Sequence, residues 1–374
     1  MVQILGKVGA TAPTVKDAAE FKKAFNAVQA LISEGKIQAG HDVGSGGLIT
    51  TLLEMCFADN ELAAEIDLTA LAEEDLLKVL FAENVAVVLQ ADQSIEDDLK
   101  AQGVRYAKIG TVTQGEELIL THQGQTYRFN IAECRDVWYL TSYLLDKQQT
   151  ANDKATERYQ NYSEQPLQYT FPAHFTGEKP VRPQGKRPVA AVIREKGSNS
   201  EREMANALYL AGFDVKDVHT TDLTSGRETL EEVQFIGAVG GFSNSDVLGS
   251  AKGWAGALLY NEKAKKALDN FFARPDTLSV GICNGCQLFM ELELINPEHS
   301  EHGKLRHNDS HKHETGFVSV TIPENNSVML STLAGTTLGV WISHGEGKFY
   351  LPMEEKDYNI VGKYTYEGYP ANPN

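Results

Sequence analysis

The sequence Thr277-Leu-Ser-Val-Gly-Ile-Cys-Asn-Gly-Cys-Gln-Leu-Phe-Met-Glu-Leu292 carries the pattern Gly281-x-Cys283-x-Gly285-x-Gln287 between two apolar segments. The first apolar segment has the length of a buried parallel strand, and the second has the apolar density of a helix. A thiol on such a strand-to-helix turn projects into a cleft at the edge of the sheet, where the helix N-terminus favours the reactive thiolate. We therefore interpret Cys283 as a nucleophile.

Cys283 and Cys286 also form a Cys-x-x-Cys pair, which leaves two other interpretations open. A zinc site needs about two further Cys or His ligands, whereas Cys56 and Cys134 are isolated in the sequence. A redox pair of the thioredoxin type is the second interpretation, although the Gly-x-Cys-x-Gly-x-Gln frame is not its pattern. We prefer a nucleophilic Cys283 and a small, packed Cys286.

The second half of the chain predicts a doubly wound parallel sheet. In such sheets the binding site lies at the carboxyl ends of the strands, and polar motifs follow three of the strands predicted here. The strands are Val189–Ile193, Phe213–His219, Phe235–Val239 and Leu278–Ile282, with a helix over Glu201–Leu210. The positions of the motifs therefore agree with the predicted topology.

The nucleophile motif resembles that of class I glutamine amidotransferases. Its double-cysteine form, after Arg274-Pro-Asp-Thr-Leu278, is similar to the glutaminase end of the phosphoribosylformylglycinamidine synthase family. Four further segments support the resemblance, which extends over about half of the chain. They are Arg194-Glu-Lys-Gly-Ser-Asn-Ser-Glu-Arg-Glu203, Gly240-Gly-Phe-Ser-Asn-Ser-Asp-Val-Leu-Gly249, Ser343-His-Gly-Glu-Gly347 and Tyr369-Pro-Ala-Asn-Pro-Asn374.

The resemblance implies hydrolysis of the glutamine side-chain amide. The Cys283 thiolate attacks the amide carbon, ammonia leaves, and water releases glutamate from the thioester. The implied oxyanion hole consists of backbone N–H groups from Gly241 or Phe242 and from Asn284. Without the resemblance, the pair Gly240-Gly241 could be any tight turn.

The resemblance also implies a pocket for glutamine. Its residues are Gly240, Gln287, His344 and Glu346. Read alone, Gln287 could equally be a polar residue that caps the first turn of the helix.

The thiol also needs a general base, usually a histidine oriented by a carboxylate. His344-Gly-Glu346 is the obvious choice, but the resemblance assigns this role to a His-Pro-Glu motif on a later segment. The 374 residues contain no His-Pro-Glu sequence. We therefore expect a C-terminal piece of a synthase without its last catalytic segment. In such a piece we expect a formed pocket but little or no turnover.

The first half of the chain predicts alternating helices and strands, typical of a layered α/β fold. The predicted helices are Ala18–Ile32, Leu48–Phe57, an acidic helix between the second and third strands, and Ile131–Leu145. The predicted strands are Lys36–His41, Val85–Leu89, Tyr106–Val112 and Glu117–Thr121.

One turn in this half, Gly40-His-Asp-Val-Gly-Ser-Gly-Gly-Leu48, joins a predicted strand to a helix start. Glycine N–H groups at a helix N-terminus can bind an anion, although a purely structural turn is also consistent with this pattern. The turn resembles the His-Asp-x-Ser-Asp-Gly-Gly-Leu motif of aminoimidazole-ribonucleotide-synthetase-like domains, but Gly44 and Ser45 replace its Ser-Asp pair. The phosphate- or nucleotide-side candidates are His41, Asp42, Gly46 and Gly47.

Composition excludes several classes of function. The formal net charge of −17 disfavours a nucleic-acid partner, since phosphate binding needs a basic face. No apolar run reaches the length of a membrane span, and the first residues lack the layout of a signal peptide. Four cysteines without a framework spacing indicate a reducing, cytoplasmic location. Residues 61–100 hold 11 acidic and 2 basic side chains, which predicts a solvated face.

We therefore expect a synthetase-like C-terminal α/β domain at 1–147, an ordered linker at 148–186, and a flavodoxin-like class I amidotransferase domain at 187–374. The resemblance implies that the parent enzyme converts formylglycinamide ribonucleotide to the amidine with ATP, Mg²⁺ and glutamine. The expected partners are glutamine and the remaining synthetase domains; we predict no metal site in this chain. The alternatives are a DJ-1-like cysteine hydrolase or peptidase with His344 as base, and a degenerate amidotransferase that acts as an interaction subunit.

Overall fold

The computed structural model describes residue 6 and residues 12–92, 94–164, 166–178, 181 and 184–371. The chain divides into two compact units, Met1–Leu144 and Leu145–Asn374. The α-helices are α1 (Ala18–Ser33), α2 (Gly47–Cys56), α3 (Leu76–Phe81), α4 (Ile95–Ala101), α5 (Ile131–Gln149), α6 (Lys154–Asn161), α7 (Glu201–Leu210), α8 (Thr220–Ser225), α9 (Lys252–Leu259), α10 (Glu262–Phe272) and α11 (Asn284–Glu291).

The strands of the first unit are β1 (Ile37–Asp42), β2 (Leu62–Asp67), β3 (Val87–Ala91), β4 (Gly110–Gln114), β5 (Glu117–His122) and β6 (Gln125–Asn130). The strands of the second unit are β7 (Val189–Arg194), β8 (Ser198–Asn199), β9 (Asp214–His219), β10 (Phe235–Ala238), β11 (Gly240–Gly241), β12 (Leu278–Gly281), β13 (Lys304–Arg306), β14 (Glu314–Thr321), β15 (Thr337–His344), β16 (Lys348–Tyr350) and β17 (Lys363–Tyr364).

The second unit is built on a parallel sheet with strand order β12-β10-β7-β9. The chain therefore leaves the neighbouring strands β7 and β10 in opposite directions, which makes their carboxyl ends the switch point of a flavodoxin-like sheet. All four predicted strands are present to within one residue at each end. The predicted doubly wound fold is confirmed, and the crevice at its switch point is the place to look for a site.

Helices cover both faces of this sheet, as its strand sequences require. On β7, Ala190 and Val192 face a core with Leu208 of α7. Their neighbours Ala191 and Ile193 face the opposite core, where Trp254 of α9 and Phe271 of α10 are almost fully buried. Strands that are buried on both faces have continuous apolar sequences instead of alternating ones. This explains why short runs of Val, Ile and Ala predicted the sheet correctly.

The second unit also contains antiparallel strands that the sequence did not predict. Strands β14 and β15 pair over their full lengths, β17 adds to β14, and β13 pairs with β16. Polar residues interrupt these segments, and several side chains of β14 and β15 are exposed. Periodicity alone therefore gave no clear strand signal. These strands matter because β15 ends at His344, in a predicted site motif.

The first unit contains a four-stranded sheet in the order β4-β2-β5-β6 and a two-stranded antiparallel sheet, β1-β3. A core of apolar side chains from α2, α3 and the larger sheet fills this unit. The strand predicted at Tyr106–Val112 begins later, at Gly110, and strands β2 and β6 were missed. Strand β2 lies in the acidic stretch, where Glu65 and Asp67 are exposed while Ala64 and Ile66 are buried.

The range predicted as a linker, residues 148–186, contains helix α6. Helix α6 contacts the C-terminal segment through Arg158, whose guanidinium bonds to the Tyr369 hydroxyl and, at 3.0 Å, to Glu314. The Tyr369 hydroxyl also donates to Glu314 at 2.6 Å, and Asp146 lies 3.1 Å from the other side of the guanidinium. Further along, Thr170 forms an isolated bridge to Thr337 of β15.

Three parts of the predicted features lie outside the described residues: Pro180 and Pro183 of the linker, the first residues of the chain, and the end of the Tyr369–Asn374 motif. In the described ranges, none of the helices combines the length and the apolar character that crossing a membrane requires.

The ionic cluster around Arg158 predicts a loss of stability at acid pH. Burial by itself would raise the pKa of Asp146, but hydrogen bonds from Lys312 and Thr150 and the Lys312 and Arg158 charges outweigh burial and lower it. The unfolded chain then binds more protons than the folded one below about pH 4. We expect the contribution of Asp146 to the free energy of unfolding to be complete well above this pH and to be lost as the pH falls further, as measured by urea denaturation between pH 7 and pH 2.5.

The substitution Asp146→Asn tests the source of this loss. We expect it to cost about 2 kcal/mol at pH 7, since a hydrogen bond to a charged group is lost, and to flatten the decrease below pH 4. The control is Asp269→Asn, which removes an exposed i,i+4 partner of Lys265 and should cost less than about 0.5 kcal/mol. An undiminished acid slope in Asp146→Asn would contradict this assignment.

Candidate functional site

Cys283 lies on a tight turn between β12 and α11. Strand β12 ends at Gly281 and the helix begins at Asn284, so Cys283 occupies the N-cap position of the helix. Its φ of 54° and ψ of −113° are a conformation that L-residues rarely adopt. Such strain at a strand-to-helix turn is the geometry of a nucleophile elbow, which presents a side chain above the sheet edge. The side chain of Cys283 is exposed, as this geometry requires.

The glycines of the motif let the helix approach the sheet. A Cβ on Gly285 would lie 2.2 Å from the carbonyl oxygen of Ala238 in β10, and one on Gly281 would lie 2.5 Å from the carbonyl oxygen of Gly285. Both distances are far below van der Waals contact, so no other residue fits at either position without a backbone shift. The pattern Gly-x-Cys-x-Gly thus positions the Cys283 thiol through close backbone packing.

The two cysteines of the motif have different surroundings. The Cys283 sulfur lies 3.7 Å from the carbonyl oxygen of Ser343, which accepts a weak hydrogen bond from the thiol. Burial, with a smaller contribution from the nearby Cys283, raises the pKa of the Cys286 thiol to about 11. A thiol with a raised pKa is a poor nucleophile, which supports Cys283 as the reactive residue. Among the described residues, no group of three or more His, Cys, Asp or Glu side chains is arranged to hold a metal ion.

The Gly240-Gly241 pair lies directly beside the nucleophile. A Cβ on Gly240 would be 3.2 Å from the Cβ of Cys283, so this glycine keeps open the space next to the thiol. Gly241 has a φ of 111° and pairs with Ser198 across the short antiparallel bridge β8-β11. This bridge closes one side of the crevice at the switch point of the sheet.

One of the predicted oxyanion donors is already used. The Phe242 N–H donates to the carbonyl oxygen of Gly197 at 2.9 Å, so it is not available as an oxyanion donor in the structure. Asn284 is the first residue of α11, and the first N–H groups of a helix have no acceptor within the helix. The backbone donors that remain for the predicted oxyanion hole are therefore those of Gly241 and Asn284.

A chain of side-chain amides joins three segments around the thiol. Asn284 is fully buried; its oxygen accepts from the Ser243 N–H at 3.2 Å, and its amide nitrogen donates to the Gln287 oxygen at 2.9 Å. The Gln287 nitrogen in turn donates to the Glu346 carbonyl at 2.8 Å. Both ends of the Gln287 amide are thus occupied by the protein. Its immediate role in the structure is to tie helix α11 to the turn after β15.

That turn, His344–Gly347, is held by Asn308, a residue that the sequence analysis did not single out. Asn308 is fully buried, and its side-chain oxygen lies 2.9 Å from His344 Nδ1 and 3.3 Å from the Gly347 nitrogen. Its side-chain nitrogen donates to the carbonyls of His344, at 2.7 Å, and Lys312, at 3.1 Å. The sequence gives no signal for this role, because burial of one asparagine in the polar loop His307–His313 has no sequence signature.

The predicted pocket residues His344 and Glu346 lie on this turn. Burial lowers the pKa of His344, the neighbouring His313 lowers it further, and Glu314 opposes both with a smaller effect. The Glu346 carboxylate lies 3.9 Å from the exposed His307 imidazole. Within the described ranges, neither side chain is hydrogen-bonded to the Cys283 sulfur. The backbone of this segment makes the contacts instead: the Ser343 carbonyl, just before the turn, lies near the Cys283 sulfur, and the Glu346 carbonyl accepts from Gln287.

The predicted anion site of the first unit has a different arrangement. Gly46 and Gly47 have positive φ angles and begin helix α2, as predicted, but the Gly46 N–H donates at 3.0 Å to the carboxylate of Glu83. The chain's own carboxylate therefore occupies a donor predicted for phosphate. His41 lies at the end of β1 with its Nε2 atom 3.2 Å from Glu54, while the Asp42 carboxylate points into solvent.

Comparison with known proteins agrees with this geometry. A family model of the CobB/CobQ-like glutamine amidotransferase domain matches residues 187–374, half of the chain. The chain belongs to this amidotransferase family. A second model, of the C-terminal domain of AIR synthase related proteins, matches residues 3–123. The two matches confirm the predicted order of a synthetase-like domain followed by an amidotransferase.

One curated relative of the amidotransferase is the "Probable phosphoribosylformylglycinamidine synthase, chloroplastic/mitochondrial" of Arabidopsis thaliana. It is 38% identical over 369 residues, which cover 95% of this chain and 26% of the relative. The chain thus spans about a quarter of the length of the curated relative it matches. This similarity confirms the resemblance to the synthase family that the motifs indicated.

Two solved structures from Thermotoga maritima show partial likeness to the amidotransferase chain. The structure of PurLQS matches with a TM-score of 0.40 and 26% identity, over 49% of this chain and 77% of that chain. The structure of PurL complexed with ATP matches with a TM-score of 0.26 and 15% identity, over 30% of this chain and 21% of that chain.

The contact between α11 and β10 predicts a large effect of one methyl group. Gly285→Ala should destabilise the amidotransferase by about 1–3 kcal/mol, because its Cβ would overlap the Ala238 carbonyl. The control Gly316→Ala adds a methyl group where nothing lies within 4 Å, and its stability should stay within about 0.5 kcal/mol. Urea denaturation measures both variants; equal stabilities would contradict the close packing at Gly285.

The strain at Cys283 predicts an unusual stabilisation. Cys283→Gly should raise the free energy of unfolding by about 1 kcal/mol, because glycine adopts a positive φ without a steric penalty. Cys283→Ala is the matched control, since alanine also lacks the thiol but keeps the strain, and should remain close to the parent. Thermal denaturation of the three proteins shows whether any stabilisation comes from relief of backbone strain or from loss of the thiol. Equal melting temperatures for the glycine and alanine variants would contradict relief of strain as the cause.

Proposed function

We propose that the amidotransferase unit hydrolyses glutamine with Cys283 as its nucleophile, and that it forms the glutaminase part of a phosphoribosylformylglycinamidine synthase. The observation that carries this proposal is the exposed thiol on a strained strand-to-helix turn at the switch point of the sheet. The Gly240-Gly241 turn next to that thiol leaves room for a planar amide beside it. The family membership and the synthase relative support the same function.

The chemistry follows from the positions of the donors. The thiolate attacks the amide carbon of glutamine, and the carbonyl oxygen gains the negative charge of a tetrahedral intermediate. The N–H groups of Gly241 and Asn284 stabilise this oxyanion, since fixed donors at developing charge lower the barrier most. Collapse of the intermediate releases ammonia and leaves a thioester on Cys283. Water then hydrolyses the thioester to glutamate and restores the thiol.

The glutamine pocket is proposed to lie between the Gly240 turn and the His344–Gly347 turn. Gly240 leaves space for the substrate, while His344 and Glu346 form the opposite wall. Gln287 contributes by holding this wall in place, because both ends of its amide are bonded to Asn284 and the Glu346 carbonyl.

The proposal does not assign the general base to His344. Its Nδ1 atom is bonded to Asn308, and no described imidazole is hydrogen-bonded to the Cys283 sulfur. We therefore propose that the isolated chain reacts with glutamine slowly. For the same reason a cysteine hydrolase with His344 as base has no support in the site geometry.

For the parent enzyme we propose the ATP-dependent conversion of formylglycinamide ribonucleotide to the amidine, with ammonia from the glutaminase and Mg²⁺ to balance the phosphate charge. The remaining synthetase domains are the proposed partner. The turn with His41, Asp42, Gly46 and Gly47 is proposed to face the nucleotide side, where an anionic ligand would have to displace Glu83 from the Gly46 N–H. For this chain we propose a cytoplasmic location. The name of the plant relative, by contrast, places that protein in chloroplasts or mitochondria.

The proposed glutaminase is tested by labelling with diazo-oxo-norleucine, a glutamine analogue with an electrophilic carbon. We expect one adduct by intact mass, on the Cys283 peptide, and at least about tenfold slower labelling in saturating glutamine, because occupancy protects the thiol. Cys283→Ala should remove the adduct, and Cys286→Ala should keep it. Labelling of Cys286, or labelling that glutamine does not slow, would refute the proposed site.

A further inference from the structure

Asn308 connects the loop after β13 to the turn after β15 with an unusually complete set of hydrogen bonds. Its two side-chain N–H groups bond to the carbonyls of Lys312 and His344, and its oxygen receives His344 Nδ1 and the Gly347 N–H. Its backbone N–H also donates to the Gly345 carbonyl at 3.0 Å. A primary amide has two donors and two acceptor positions. All four are used, and three of the partners belong to the four-residue turn.

These contacts fix the orientation of the amide and the tautomer of His344. Carbonyl oxygens only accept hydrogen bonds and a backbone N–H only donates, so exchanging the amide oxygen and nitrogen would break three contacts at once. The atom facing His344 Nδ1 is therefore the Asn308 oxygen. Since this oxygen only accepts, Nδ1 must carry the proton, and Nε2 of the neutral ring keeps its lone pair.

The turn that Asn308 holds contacts the nucleophile elbow at two points. Just before the turn, the Ser343 carbonyl lies 3.7 Å from the Cys283 sulfur. Within it, the Glu346 carbonyl accepts from Gln287 of α11 at 2.8 Å. Asn308 bonds to the residues between and beside these two carbonyls. A shift of the turn would therefore change the wall of the pocket next to the thiol.

The surrounding strands keep Asn308 opposite this turn. Arg306 at the end of β13 pairs with Lys348 at the start of β16, so the two segments that carry Asn308 and Gly347 leave the strand pair side by side. The Lys348 ammonium also bonds to both carboxylate oxygens of Asp309, at 2.8 and 2.9 Å. The β13–β16 strand pair and the Lys348–Asp309 ion pair thus hold Asn308 next to the turn that it bonds.

We propose that Asn308 is a positioning residue of the glutaminase, which holds the His344–Gly347 turn against the nucleophile elbow and fixes His344 as the Nδ1–H tautomer. This inference rests on the proposed glutaminase function and deepens it. In this proposal the buried, neutral amide of Asn308 shapes the glutamine pocket, although Asn308 lies outside every recognised motif. Asn308 acts through the turn and does not touch the thiol.

The test compares Asn308→Ala with Asn308→Asp and with the control Asn261→Ala in the full chain. Asn261 caps helix α10, far in sequence from the site, so its substitution removes an amide and a cap without touching the turn. We expect Asn308→Ala to slow labelling of Cys283 by diazo-oxo-norleucine by roughly 10- to 100-fold, because a misplaced pocket wall costs about that much. Iodoacetamide, which needs no pocket, should label Cys283 within about twofold of the parent rate in all proteins.

The His344 ring provides a readout that general destabilisation would not change in the same way. In the parent chain, ¹⁵N NMR of the imidazole should show a protonated Nδ1 and an unprotonated Nε2, and Asn308→Ala should remove this preference. Asn308→Asp keeps the acceptor for Nδ1 but lacks both donors. The new carboxylate would act on His344 in the same direction as Glu314 and against His313. Asn308→Asp should therefore raise the pKa of His344, while labelling by the analogue should still slow.

The outcomes separate the inference from the function on which it rests. Parent chain that reacts with iodoacetamide but not with the analogue would refute the glutaminase proposal and this inference with it. Parent chain labelled by the analogue, with Asn308→Ala labelled at the same rate, would refute the inference alone, as would an Nε2–H tautomer in the parent. If Asn308→Ala fails to fold, Asn308→Asp decides by the same two readouts.

Discussion

The close approach of helix α11 to strand β10 at Gly285 is the constraint on which the site depends. With the Ala238 carbonyl 2.2 Å from the position of a Cβ, the helix rests directly on the backbone of the sheet. The chain can reach that helix from β12 only through a sharp turn, and Cys283 takes up the resulting strain in its φ and ψ angles. The exposed thiol and the free Asn284 N–H of the first helical turn both follow from this packing.

Sequence reasoning located this part of the site because each of its signals is local. A glycine at close contact, an apolar strand of five residues and an amphipathic helix all leave a pattern within about fifteen residues of Cys283. The Gly240 turn was indicated by the resemblance and by its place after a strand, and a Cβ on Gly240 would lie 3.2 Å from the Cβ of Cys283. Sequence reasoning left Gly241 and Phe242 as alternative donors, because whether a backbone N–H is free depends on its partner, which for Phe242 is the Gly197 carbonyl, 45 positions earlier in the sequence.

The other wall of the pocket was beyond local reasoning for a related reason. It is built from the antiparallel strands β14 and β15, whose side chains are partly exposed and do not alternate cleanly. Asn308 looks like an ordinary loop residue until the fold buries it against the His344–Gly347 turn. In the same way, the glycine turn at Gly46 predicts an anion site, while in the structure the Gly46 N–H donates to the carboxylate of Glu83, which lies 37 positions later in the sequence.

Neutral amides carry the contacts between the two walls of the proposed pocket, and the ion pairs around Arg158 are separate from these contacts. Asn284, Gln287 and Asn308 carry the contacts between the elbow and the opposite turn, and none of them changes its charge with pH. The ion pairs of Arg158 with Asp146 and Glu314 instead join helix α6 to helix α5 and strand β14, and the Tyr369 hydroxyl attaches the C-terminal segment to the same cluster. A nucleophile that must exchange protons with its surroundings benefits from this separation: a neutral amide holds the pocket without adding a fixed charge that would shift the thiol or the imidazole.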